Sequence, residues 1–134
     1  MNYKSLMKTD AGWGITVLRV VTGIVYMGHG WPKFGNLEGS AGFLASKGIP
    51  LANIMAPLVA SVEFVGGAML VLGLLTRVIS ALQAFTMLVA VLLVHLSNGM
   101  FGEGGYQWAL LIMAASVCMM LEGGGKASLD TKLS

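Results

Sequence analysis

Four ionisable residues fall inside the apolar stretches of this sequence, namely Arg19, His29, Glu63 and His95. Within a membrane such side chains are costly unless they are paired or hydrated, so they are functional candidates by default. Imidazole rings can hydrogen-bond and carry protons near neutral pH, and a carboxylate can accept or release a proton. We therefore predict that His29, Glu63 and His95 are the catalytic residues of a site that exchanges protons with its ligand.

Further residues are predicted to line the same site and hold the ligand. They are polar or aromatic, and they share a helix face or a depth with the catalytic set: Arg19, Tyr26, Trp31, Lys33, Tyr106, Gln107 and Trp108. At 100° per residue, Arg19 and Tyr26 project within about 20° of each other, and His29 follows nearly one turn later. The spacing of the ten methionines and the single Cys118 forms no metal-binding cluster, so no metal ligand is predicted.

A structural interpretation of the same residues is equally open. Glu63 would then be buried and neutralised by Arg19, its obvious counter-ion, or by another polar side chain, and the pair would fix the register of two helices. Alternatively, Glu63 is neutral and Arg19 snorkels towards the membrane surface. The two histidines would only cap helix ends through hydrogen bonds. Haem ligation by His29 and His95 is another alternative, and it requires the two rings to face one another across the interior.

The elements that must position these residues are membrane-spanning helices. Residues 78–102 are 25 consecutive residues without Asp, Glu, Lys or Arg, and residues 104–121 are another 18. Roughly 20 apolar helical residues cross a hydrocarbon core about 30 Å thick. Hydrophobic residues make up 56% of the 134 residues and charged residues 10%. We predict one all-α domain over residues 1–134, a polytopic membrane four-helix bundle with spans at 14–31, 51–75, 78–96 and 106–122.

The distribution of lysine and arginine predicts how this bundle is oriented. Basic residues accumulate on the cytoplasmic side of membrane proteins, which places both termini in the cytoplasm together with Lys4, Lys8, Arg77, Lys126 and Lys132. The longest connection, residues 33–50, then lies outside with Lys33 and Lys47. Within it, residues 41–47 (AGFLASK) are predicted as a short helix or re-entrant piece, with a surface loop as the alternative.

Five ordered sequence blocks carry a resemblance to a known family. They are GHGWPKFG at 28–35, GFLASKGIP at 42–50, VEFVGGAMLVLGLLTR at 62–77, TMLVAVLLVHLSNGMF at 86–101 and SLD at 128–130. On these blocks the chain resembles the DoxX family of small bacterial and archaeal four-span membrane proteins over nearly its whole length. The resemblance implies an inner (plasma) membrane protein tied to respiratory or redox chemistry.

The resemblance also implies which positions matter. The family's recurring polar positions correspond here to Arg19, His29, Lys33, Glu63, Arg77, His95 and Asn98. Many members appear with a glutamate just after the aromatic residue that opens the fourth span, where this chain has Gln107. This departure removes one proton carrier.

The leading functional hypothesis is a quinone-interacting subunit of a redox system. The sequence contains no recognisable flavin or iron–sulfur site, so electrons would come from a partner subunit. The alternatives are a non-enzymatic scaffold or assembly subunit and a small-solute or proton pathway. Expected partners are membrane lipid and either a second copy or another membrane redox subunit, and no nucleic acid is expected.

Overall fold

All regular secondary structure in the described part of the chain is helical. The computed structural model describes residues 12–133. The helices are α1 (Gly12–Phe34), α2 (Leu37–Ser46), α3 (Ala52–Leu72), α4 (Thr76–Ala90), α5 (Gln107–Glu122) and α6 (Leu129–Leu133). After α4 the same helical segment continues as a π turn, Val91–His95, and a 3-10 turn, Leu96–Asn98. The all-α prediction is confirmed for these residues, while Lys4 and Lys8, which entered the orientation argument, lie outside them.

The four long helices pack against one another in pairs. Helix α1 packs mainly on α3 and α4 packs mainly on α5, and α3 contacts α4 while α1 contacts α5. The α1–α3 contact is close because glycine faces glycine: a Cβ added at Gly23 would lie 2.6 Å from the carbonyl oxygen of Gly67. Small residues at such positions allow two backbones to approach in a way that larger side chains prevent.

Two of the described helical segments are long and apolar enough to cross a membrane. They are Ala52–Leu72, with 21 residues, and the continuous segment Thr76–Asn98, with 23 residues. Helix α5 is apolar but has 16 residues. Large apolar side chains are widely exposed on the described surface, including Val17, Val21, Phe85 and Leu111. Such a surface is expected where lipid replaces water as the surrounding medium.

The connection after α1 differs from its predicted form. Helix α2 spans Leu37–Ser46, begins before the predicted segment and packs on α3, so the surface-loop alternative for residues 41–47 is wrong. Its start is fixed by Asn36, whose side-chain oxygen accepts a hydrogen bond from the Gly39 amide at 3.0 Å, the usual role of an N-cap residue. Lys33, predicted to lie in the connection, belongs to the last turn of α1.

The helical molecule has two ends with different residues. The histidine end carries the C-terminal part of α1, His95 and the start of α5. The tail end carries the start of α1, the α3–α4 turn and the segment from Gly123 to Leu133.

Candidate functional site

Glu63 is the most deeply buried carboxylate of the described residues, and its partner is Lys33. Glu63 is 3% exposed, and its carboxylate forms an ion pair with the Lys33 ammonium across the α1–α3 contact. The prediction of a buried and neutralised Glu63 is confirmed. Arg19 as its counter-ion is wrong, because Lys33 continues α1 by one more turn and its side chain folds onto α3.

Small residues make room for this carboxylate. A Cβ added at Gly30 would lie 2.9 Å from the Glu63 Cβ and 2.6 Å from the Phe64 amide nitrogen. On α3 itself, Ala56 and Ala60 are 1% and 0% exposed. Gly30 therefore lets the α1 backbone approach α3 closely at Glu63. Ala56, Ala60, Glu63 and Gly67 follow a 4-3-4 spacing along α3, which places small residues on both sides of Glu63.

The two histidines meet on one indole ring. His29 stacks on Trp108, with ring centroids 4.8 Å apart and planes 11° apart. His95 contacts the same indole edge to face at 5.9 Å and 72°. Helix α1 supplies His29, the π turn supplies His95 and the first turn of α5 supplies Trp108, so three distant parts of the chain form this cluster. We call His29, His95 and Trp108 the aromatic platform.

The ring of His95 is oriented by the following loop. Its Nδ1 lies 2.8 Å from the carbonyl oxygen of Gly104, and the same oxygen accepts a hydrogen bond from Asn98 Nδ2 at 3.0 Å. Because a carbonyl oxygen only accepts hydrogen bonds, Nδ1 carries the proton, and in the neutral ring Nε2 is an acceptor. The contact fixes both the tautomer and the direction in which Nε2 is presented.

The remaining predicted ligand-binding residues are divided between two ends of the molecule. Tyr26 is buried inside, and its hydroxyl lies 2.8 Å from the Ser116 hydroxyl. Trp31 is 64% exposed and packs on Phe64 at 5.1 Å. Tyr106 packs on the core next to the platform, and Gln107 is exposed at the start of α5. Arg19 does not join this group.

Arg19 instead holds the tail end together. It is 1% exposed, and its guanidinium donates hydrogen bonds to the carbonyl oxygens of Gly124 and Ala127, the latter at 2.6 Å. Arg77 donates likewise to the Met120 carbonyl at 3.0 Å. Arg77 thus satisfies carbonyls left without intrahelical partners where α5 ends, and Arg19 bonds to carbonyls of the segment that follows the helix. The chemistry of Arg19 is therefore structural and lies far from the platform.

Asp130 is a tail-end residue whose role the sequence did not reveal. Its carboxylate accepts hydrogen bonds from the amides of Leu75 at 2.8 Å and Thr76 at 2.9 Å, which caps the start of α4. Burial by itself would raise the pKa of Asp130, but the Thr76 and Leu75 hydrogen bonds and the charge of Arg19 outweigh it and lower that pKa. The SLD block marked this position, although neither spacing nor composition indicated what it caps.

The histidine end has the form of a surface platform. His29 and Trp108 are exposed and His95 is partly buried. Two clefts in the described residues lie at the tail end, one of about 520 Å³ between the α3–α4 turn and the end of α5, and one of about 270 Å³ beside Ser128. Haem ligation would require the His29 and His95 rings to face one another across the interior of the bundle. Instead, His29 stacks face-on on the Trp108 ring.

The fold and this surface define an all-helical membrane protein. A sequence model of the DoxX family matches residues 14–96, and the chain belongs to the DoxX family. It is similar to "Putative oxidoreductase CatD" of Bacillus subtilis, with 35% identity over 87% of this chain and 84% of the relative. It is also similar to "Inner membrane protein YqjF" of Escherichia coli, with 30% identity over 96% of this chain and 98% of the relative. No solved structure matches the chain significantly.

Proposed function

We propose that this protein is a quinone-binding membrane subunit of a redox system, and that the aromatic platform holds the quinone head group. In this proposal α1 and α5 also cross the membrane, so the four long helices form one bundle in the inner membrane with both termini in the cytoplasm. One observation carries the proposal: two imidazoles meet on a single exposed indole beside the buried Lys33–Glu63 pair.

The chemistry of the platform suits a flat ring that carries two oxygens. Trp108 offers an apolar face, the Nε2 atom of His95 can accept a hydrogen bond from a quinol hydroxyl, and His29 can donate one to a quinone carbonyl oxygen. Reduction of a quinone to a quinol consumes two electrons and two protons. The two imidazoles can pass these protons to the head group, as histidine side chains do in general acid–base catalysis. The electrons would come from a partner subunit, in keeping with the oxidoreductase name of the Bacillus subtilis relative.

A scaffold function is the second candidate, and a specific observation favours it. Several predicted site residues already have partners inside the protein: Glu63 with Lys33, Tyr26 with Ser116, and Arg19 with two carbonyls. These contacts join helices that are distant in sequence, which is what a rigid assembly subunit needs. The histidines differ, because within residues 12–133 neither imidazole hydrogen-bonds to a side chain, and both instead pack on the Trp108 ring.

Quinone binding to purified protein separates the two candidates. We expect His29→Ala and His95→Ala each to weaken binding of a short-chain ubiquinone by about tenfold or more, or 1.4 kcal/mol. Phe101→Ala is the matched control, since Phe101 is an exposed ring in the loop that follows His95 and is 76% exposed. Equal binding by all variants, or none by the parent, would remove the quinone proposal and leave the scaffold.

A further inference from the structure

Three side chains of α4 form a buried polar column in an otherwise apolar helix. Thr76, Ser80 and Gln83 are spaced four and three residues apart, which places them on one face, and each is 0% exposed. The hydroxyl oxygens of Thr76 and Ser80 and the side-chain oxygen of Gln83 have no hydrogen-bond partner within residues 12–133. The Nε atom of Arg19, at the tail end, shares this property.

Buried polar atoms without a protein partner are commonly bound by water. A buried polar atom left without a hydrogen bond costs about 1–3 kcal/mol, and three along one helix face would consume a large part of the stability of a small domain. In polar interior sites this role is commonly taken by buried water, which bonds to two to four neighbouring groups. The column therefore has the chemistry of a file of water-binding sites.

The column begins at a cleft. Thr76 lies in the wall of the 520 Å³ cleft at the tail end, together with Gly124 and Asp130. A Cβ added at Gly124 would lie 3.2 Å from the Thr76 hydroxyl oxygen, so the Gly124 backbone packs close to that buried oxygen. The first member of the column therefore lies directly behind the wall of the cleft.

The column ends at the α3 backbone, one residue before Glu63. Gln83 Nε2 donates to the carbonyl oxygen of Val62 at 3.3 Å, and Val62 immediately precedes Glu63. A Cβ added at Gly66 would lie 3.1 Å from the same nitrogen, so Gly66 provides the space in which the amide sits. From Thr76 to Gln83 the column rises about 10 Å along the helix. Beyond it, the Lys33 side chain is 33% exposed at the histidine end.

We propose that Thr76, Ser80 and Gln83 bind a file of water molecules that conducts protons between the tail-end cleft and the Lys33–Glu63 pair. A proton enters from cleft water and each ordered water accepts one proton and passes another on, with no redox step. At the upper end the Glu63 carboxylate accepts the proton and the Lys33 ammonium releases one to the exterior. The inference is independent of quinone binding.

Proton flux into vesicles tests this inference. Protein would be reconstituted into phosphatidylcholine–phosphatidylglycerol vesicles containing a pH-sensitive dye, with a potassium gradient and valinomycin to supply the driving potential. We expect the parent to conduct protons well above protein-free vesicles, and Ser80→Ala and Gln83→Leu to reduce the flux several-fold. Thr86→Val is the control, because Thr86 lies on α4 outside the column and its hydroxyl donates to the Leu82 carbonyl at 2.9 Å.

Two results would overturn the proposal. One is parent flux no higher than that of protein-free vesicles, and the other is equal flux in the parent, Ser80→Ala and Gln83→Leu. Melting temperature provides an independent test that does not depend on flux. A dry, unpartnered hydroxyl is destabilising, so a higher melting temperature for Ser80→Ala would show that Ser80 binds no water. If Gln83→Leu does not fold, the proton flux of Ser80→Ala is compared with that of Thr86→Val, and equal flux in these two variants would overturn the proposal.

Discussion

At the scale of single residues, the chemistry of this protein is concentrated in groups that an apolar environment makes costly. Glu63 is nearly inaccessible, whereas its partner Lys33 reaches it from a position that is one-third exposed. The sequence predicted the burial of Glu63 because an apolar helix surrounds it. The partner was not predictable, since choosing between Arg19 and Lys33 requires knowing where α1 ends and how it is rotated against α3.

Removal of Lys33 should destabilise the protein more than removal of the whole pair. Breaking a buried pair commonly costs about 3–5 kcal/mol, and the partial exposure of Lys33 reduces our expectation for Lys33→Met to about 1–3 kcal/mol. The double variant Lys33→Met with Glu63→Leu should lie near the parent, because no charge remains buried. Thermal unfolding in detergent measures both. Equal losses in the single and double variants would show that the pair is solvated.

At the scale of elements, the apolar runs predicted the long helices, and the spacing of Ala56, Ala60 and Gly67 around Glu63 is typical of a close helix contact. The structure places Gly23 and Gly30 of α1 directly on the α3 backbone. Two features could not be derived. The π turn at Val91–His95, which directs His95 towards Trp108, has no local sequence signature. Likewise, the link from Asp130 to α4 joins residues 54 and 55 positions apart.

The α1–α3 contact predicts that alanine substitution affects stability differently at two glycines of the same helix. Gly30→Ala should destabilise the protein by about 1–3 kcal/mol, the usual cost of overpacking, because the new methyl group would meet the α3 backbone. Gly28 has nothing within 4 Å of an added Cβ, so Gly28→Ala should be neutral or stabilising by up to about 1 kcal/mol. Paired unfolding measurements check this contrast. A neutral Gly30→Ala would contradict the packing.

The cap of α4 predicts a pH-dependent stability. Because folding lowers the pKa of Asp130 from its ordinary value of 3.8, its carboxylate stabilises the fold above that value, and the contribution is lost as pH falls through the folded pKa. Asp130→Ala should lower stability at pH 7 by about 0.5–2 kcal/mol. Melting temperatures from neutral to acidic pH should show the gap between parent and variant closing in acid. A gap that is constant with pH would contradict the cap.

At the scale of the whole molecule, the candidate binding site and the side chains that bond to backbone groups lie at opposite ends. The histidine end presents the aromatic platform, while the tail end holds Arg19, Arg77 and Asp130 in contacts with backbone groups. Family membership and membrane location follow from the sequence blocks and the relatives. The orientation across the membrane stays a prediction, since it rests on the distribution of charged residues alone.

Labelling with a membrane-impermeant thiol reagent tests that orientation. In a Cys118→Ser background, an introduced cysteine at Asn36 should react from the outer side of intact cells, and one at Lys132 should react only after permeabilisation. These expectations follow from the excess of basic residues at the tail end. Reaction of the Lys132→Cys variant in intact cells, with protection of Asn36→Cys, would reverse the topology.

The central claim, that the aromatic platform holds a quinone head group, is tested most directly by covalent mapping. The protein in lipid would be irradiated with a photoreactive ubiquinone analogue, and the modified residues would be located by mass spectrometry. We expect adducts at the end of α1 and the start of α5, around His29 and Trp108, and their loss when unmodified ubiquinone is present in excess. Adducts at the tail-end cleft, or adducts at the platform that excess quinone does not diminish, would contradict the claim.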